Sequence, residues 1–117
     1  MQPDCIFCRI VRGELPSKKV YEDEHILAFH DVRPLAAVHI LVIPKMHVVS
    51  LMECDDSHAD VLGRMLAVTG RLAKQHGSPD GFRTIINSGR VGAQEVYHLH
   101  AHILGGPERL PRMLSRD

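Results

Sequence analysis

Val96-Tyr97-His98-Leu99-His100-Ala101-His102-Ile103-Leu104 alternates imidazole and apolar side chains almost residue by residue. In an extended strand successive side chains point to opposite faces, so His98, His100 and His102 share one face while Leu99, Ala101 and Ile103 share the other. The apolar face packs, and the imidazole face looks into a site. Neighbouring histidines of such a row lie roughly 6.6 Å apart along the strand, close enough to act on one phosphorus centre. Two other readings stay open on these residues alone. The row is an ordinary solvated sheet face, or His98 with His100, or His100 with His102, shares a hydrolytic zinc.

Working outward, Gly81 opens a strand over residues 82–87, residues 88–94 form a glycine-bearing loop, and Gly105-Gly106-Pro107 closes the last strand. Upstream, Asp55-Asp56-Ser57 supplies capping side chains. They precede a segment in which Val61, Leu62, Met65, Leu66, Thr69, Leu72 and Ala73 recur at helical spacing until Gly77, which predicts one long helix. Residues 38–43 are branched and apolar and stop at Pro44, as suits a central strand. Residues 18–22 and 25–29 read as a hairpin around Asp23-Glu24 that pairs beside it. Residues 5–12 have helical spacing and stop at Gly13, a short helix feeding the extended turn Leu15-Pro16. The order of elements predicts an α+β domain, an antiparallel sheet covered by helix on one face. Residues 1–107 would form that domain and residues 108–117 an extended tail.

With 117 residues and 44% hydrophobic content, the chain can bury one core. Lys plus Arg total 14 and so do Asp plus Glu, so no basic face is available for a nucleic acid polymer. The start lacks the charged and apolar regions of a signal peptide, and residues 36–44 are too short to span a bilayer, so a cytoplasmic protein without membrane contact is expected. Cys5, Cys8 and Cys54 are an odd set that argues against a disulfide framework, and Cys54 reads as a small filler. Cys5-x-x-Cys8 has the spacing of a zinc half-site, or is two buried thiols without a ligand. Nine histidines in so short a chain point to chemistry or metal binding.

The stretch from Gln94 to Gly106 resembles the signature of the histidine triad family, in particular its Hint branch of nucleoside phosphoramidases. Cys5-Ile6-Phe7-Cys8, Glu14-Leu15-Pro16, Ala28-Phe29-His30-Asp31, His39-Ile40-Leu41-Val42-Ile43-Pro44-Lys45 and Ile86-Asn87 are similar to that branch in order and spacing. The resemblance implies a five-stranded antiparallel sheet with one long and one short helix, a homodimer, and a site for a purine nucleoside monophosphate derivative. It implies that Ile6, Phe7, Leu27, Phe29 and Val32 line the base and ribose pocket and that Asp31 holds the ribose hydroxyls. Asn87, Ala93, Gln94, Glu95, His100 and His102 would surround the phosphate. Ala93 stands where many relatives have Gly, and Glu95 where many have a small hydroxyl residue. The resemblance to zinc-bearing triad proteins further implies a structural zinc on Cys5, Cys8, His47 and His98, with no catalytic metal required. His25, His58 and His76 then read as surface residues.

The residue chemistry agrees with a phosphoramidate or acyl adenylate hydrolase. A neutral imidazole attacks phosphorus if its other N–H is held by an acceptor, and a covalent intermediate splits one barrier into two. His100, central in the row, is the expected nucleophile. His102, as an imidazolium, would stabilise phosphoryl charge, with His39 in a supporting relay role. The loop from Gly89 to Ala93 would offer backbone N–H donors, although it lacks the ending of a P-loop. Dinucleoside polyphosphate hydrolysis, as in the Fhit branch, and a nucleotide-binding interaction module with incidental catalysis are the alternatives.

Overall fold

A computed structural model describes residues 3–114, so the last three residues of the expected tail, 115–117, lie outside the described residues. The elements run α1 (Ile6–Val11), β1 (Lys19–Glu22), β2 (Ile26–His30), β3 (Val38–Pro44), α2 (Ala59–Ala67), α3 (Thr69–Gln75), β4 (Arg83–Ile85) and β5 (Ala101–Gly105). They form a five-stranded sheet in the order β1-β2-β3-β5-β4, antiparallel at every pairing. The α+β class with an antiparallel five-stranded sheet is therefore as expected.

β3 lies at the centre of the sheet and is buried along its whole length. Ile40 and Val42 face α2 and α3, where Met65, Val68, Leu72 and Ala73 complete one core, while Leu41 and Ile43 join Phe7, Ile10, Leu27 and Phe29 in a second. Helix thus covers both faces and not one. A central strand that is apolar on both sides requires this.

The long helix comes in two parts. Thr69 Oγ1 donates to the Leu66 carbonyl at 2.7 Å, a back-bond that competes with the helical ladder where α2 passes into α3. Leu66, expected on the core face, is half exposed, and Val68 takes its place in the core. Asp55 and His58 form a reciprocal capping box ahead of α2. His25, His58 and His76 are half-buried and not fully at the surface, and the His76 ring meets His30 edge-on at 5.4 Å.

The last strand is shorter than the alternation predicts. Pairing with β3 begins at Val42↔Ala101, so residues 96–100 stand outside the ladder. Pro44, two residues on from Val42, has no N–H to extend the pairing. Its carbonyl instead accepts from His98 Nε2 at 2.8 Å. β4 is likewise trimmed to residues 83–85 of the expected 82–87. Gly105 is close to obligatory, because a Cβ there would come within 2.8 Å of the Ser78 Cβ, whose hydroxyl holds Gly81 and Gly106.

Candidate active site and metal centre

A cavity of about 600 Å³ opens where α1, the end of β2 and the start of β5 meet. Ile6, Phe7, Phe29 and Leu41 give it an apolar wall, and Asp31, His39, Asn87, Glu95, His100 and His102 bring polar groups into the same space. The Phe7 ring stands edge-on to His100 at 5.2 Å and to Phe29 at 5.7 Å.

Hydrogen bonds fix where each imidazole carries its proton. The His98 carbonyl lies 2.7 Å from His100 Nδ1 and can only accept, so Nδ1 is the protonated nitrogen and Nε2 keeps the lone pair. His39 Nδ1 accepts from the Leu35 N–H at 3.0 Å, which leaves the His39 proton on Nε2. That proton is donated to His102 Nδ1 at 2.9 Å, so neutral His102 holds its own proton on Nε2. Three imidazoles therefore sit in defined tautomers.

Burial pushes the His102 imidazole down to about 4, against an opposing pull from Asp31. Burial also lowers His39. In the free protein at neutral pH His102 is thus an uncharged N–H donor, and the expected imidazolium gives way to a neutral group. His100, buried at 6% exposure, likewise does not sit on a solvated strand face.

Cys5, Cys8, His47 and His98 converge with their ligand atoms all within 4.8 Å, and this cluster could hold a metal ion. His98 Nδ1 lies 3.3 Å from Cys5 Sγ and 3.6 Å from Cys8 Sγ, and His47 Nδ1 lies 3.3 Å from Cys8 Sγ. The Pro44 carbonyl accepts a hydrogen bond from the Nε2–H of His98, which turns the lone pair of Nδ1 toward the thiols. No nitrogen of His98 remains for an ion shared with His100, so that pairing is not formed. Asp31, His39 and His102 also approach one another. A metal there would have to displace the Nε2 proton that the Leu35 N–H fixes on His39.

Of the residues singled out in the sequence, Ile6, Phe7, Phe29, Asp31, Val32, His39, Asn87, Glu95, His100 and His102 line the cavity. Leu27, Ala93 and Gln94 do not. Leu27 is fully buried with Phe7 and Phe29 in the second core. The Gln94 amide donates to the Val49 and Val96 carbonyls and accepts from the Gly89 N–H, so it braces the loop instead of facing the cavity. Ala93 is exposed with φ of 60°, a left-handed conformation that favours glycine. The N–H groups of Gly89 and Ala93 are spent inside this loop, which removes them from the expected donor nest. Ile10, Leu15, Arg33 and Leu35 line the cavity without having been singled out for it. Ile10 was legible, since it lies one helical turn from Ile6 and Phe7.

A family model described as the HIT domain matches residues 12–109. The chain is 44% identical to a purine nucleoside phosphoramidase of Escherichia coli over 91% of its own length and 90% of the relative's. It is 47% identical to a 14 kDa zinc-binding protein of Brassica juncea, covering 88% of this chain and 93% of that one. A solved histidine triad protein of Clostridium difficile superimposes with a TM-score of 0.91 at 48% identity, covering 97% and 99% of the two chains. With the fold, the convergent histidines and the cysteine cluster in place, the chain belongs to the HIT-domain family.

Proposed function

We propose that the chain is a hydrolase of purine nucleoside monophosphate derivatives, phosphoramidates and acyl adenylates, acting through a nucleotidyl intermediate on His100. The observation that carries this reading is the lone pair of His100 Nε2, freed by the Nδ1–H bond to the His98 carbonyl and held beside the His102 Nε2–H in one cavity. In the first step Nε2 bonds to phosphorus and the bond from phosphorus to the leaving group breaks, an amine taking a proton from solvent or the site and an acyl group leaving as its carboxylate. Water then attacks phosphorus and gives up a proton to solvent, the bond to Nε2 breaks, and the nucleoside monophosphate departs with His100 restored to its Nδ1–H form. His102 donates its neutral N–H to a phosphoryl oxygen, and His39 keeps that donor in place. Ile6, Phe7, Phe29 and Val32 take the base and sugar, and Asp31 the ribose hydroxyls. Asn87 and Glu95 lie near the phosphate and leaving group. Leu27 supports the wall from behind, while Ala93 and Gln94 shape the loop that presents Glu95. The relative named purine nucleoside phosphoramidase supports the choice of substrate.

The same reading assigns the cysteine cluster to a structural zinc. Bond lengths of about 2.3 Å to sulfur and 2.0–2.1 Å to nitrogen place tetrahedral S and N ligands about 3.6 Å apart, close to the separations of 3.3–3.6 Å found here. A zinc closed by four protein ligands supplies rigidity and no open position for water. The three cysteines are unpaired thiols, in keeping with a reducing, cytoplasmic setting. No helix among the described residues is long and apolar enough to cross a membrane. The exposed face of α2 and the edge strand β4 are offered as the homodimer interface. A steady-state comparison of adenosine phosphoramidate, an aminoacyl adenylate and a dinucleoside polyphosphate tests the assignment. The first two should be turned over with much the higher kcat/KM, and a preference for the third, or tight monophosphate binding without turnover of any, would overturn it.

A further inference from the structure

Ile6 and Phe7, which wall the cavity, are the two residues between Cys5 and Cys8 of the metal cluster. Cys5 is also the N-cap of α1, its sulfur accepting the Cys8 N–H at 3.3 Å, so the positions of both thiols set where the first turn of α1 lies. The Phe7 ring meets His98 edge-on at 5.8 Å and His100 at 5.2 Å, touching one histidine from each site. His98 makes the second connection, with its ring on the thiols and its carbonyl on His100 Nδ1. An apolar wall held through Cys5 and Cys8 and a tautomer lock held through His98 thus hang on one cluster.

We infer that metal binding at Cys5, Cys8, His47 and His98 is thermodynamically coupled to nucleoside binding in the cavity, with the Phe7 ring as the main link. The inference rests on the reading of the cavity as a nucleoside monophosphate site. Each ligand orders the segment that the other needs, so each tightens the other by the same factor. The bound nucleoside holds Ile6 and Phe7 in place, and through them the spacing of the two thiols. Metal in the cluster conversely keeps the cavity wall in its binding position.

The test is the zinc affinity of the protein, measured by competition with a chromophoric chelator, with and without saturating adenosine monophosphate. Nucleotide affinity for the zinc-loaded protein is measured separately by calorimetry. Adenosine monophosphate should tighten zinc by at least about 5-fold, the lower end of common coupling factors. In Phe7→Leu, which removes the ring edge, the nucleotide should bind more weakly, and when it is raised to saturation most of that factor should vanish. Nucleotide that binds while zinc affinity stays unchanged would overturn the coupling and leave the hydrolase reading standing. A zinc-loaded protein that binds no adenosine monophosphate would remove both. Full coupling in Phe7→Leu would overturn the assignment to the ring. The main comparison uses only the wild-type protein, so the coupling itself is tested whether or not the variant folds.

Discussion

Replacing His39 with Phe keeps a ring in a position that is 3% exposed but removes the N–H that His102 Nδ1 receives at 2.9 Å. Asp31 is the carboxylate clustered with these two rings, its Oδ2 lying 3.4 Å from His39 Nε2. Without His39, His102 gains by moving its proton to Nδ1 and donating to Asp31, which turns the lone pair of Nε2 toward the phosphate. A hydrogen bond to a charged group is worth about 1.5–3 kcal/mol, and about 1.4 kcal/mol is tenfold in rate. The variant should therefore lose roughly 10- to 100-fold in kcat on adenosine phosphoramidate, with KM little changed. Thermal unfolding should show a loss of about 1–3 kcal/mol at most, from the Leu35 N–H left without its acceptor on His39. His39→Gln, which restores an N–H at this place, should recover most of the rate. A His39→Phe enzyme within about 3-fold of wild type, or a His39→Gln enzyme as poor as His39→Phe, would refute the tautomer argument.

Acidification should destabilise the protein. His102 titrates near 4 in the fold, below its ordinary 6.5, and His39 is shifted the same way. Between these values the unfolded chain binds more protons, so this contribution is fully present above the ordinary value and is lost as pH falls toward 4. Urea midpoints should decline from neutral pH toward 4.5, less steeply in His102→Gln, and a flat or rising midpoint in the wild type would contradict this. Elemental analysis should find one zinc per chain. A chelated but still folded sample should be less stable, with a raised KM and most of its kcat, whereas complete inactivation reversed by zinc alone would indicate a catalytic metal. Sedimentation at micromolar concentration should give twice the 13.1 kDa of the chain, and a monomer alone would rule out the dimer.

Periodicity carried the sheet and its apolar faces well. Alternation in residues 98–103 correctly separated Leu99, Ala101 and Ile103 from the histidines, because a packed face leaves that trace in any extended segment. It did not show that the ladder would stop at Ala101, since the cause is Pro44 on a different strand. The Cys-x-x-Cys spacing pointed to a metal half-site, yet its partners His47 and His98 came only through resemblance, being far apart in sequence. Gln94 illustrates the opposite limit. A polar side chain next to a phosphate signature reads as a ligand contact, and only the three-dimensional structure shows its amide spent on Val49, Val96 and Gly89. Tautomers were beyond sequence altogether, because they depend on which carbonyl or N–H each ring meets.

The central claim is the covalent intermediate on His100, and rapid-quench mass spectrometry during turnover of an adenosine phosphoramidate tests it most directly. Acid-labile adenylylation should appear at one site, map to the peptide carrying His100, and form and decay at rates that account for kcat. His100→Asn should remain folded, bind adenosine monophosphate and show neither adduct nor turnover. An adduct on another residue, or an active His100→Asn enzyme retaining more than about a tenth of wild-type kcat where a key catalytic group is expected to cost roughly 10²-fold or more, would contradict the account.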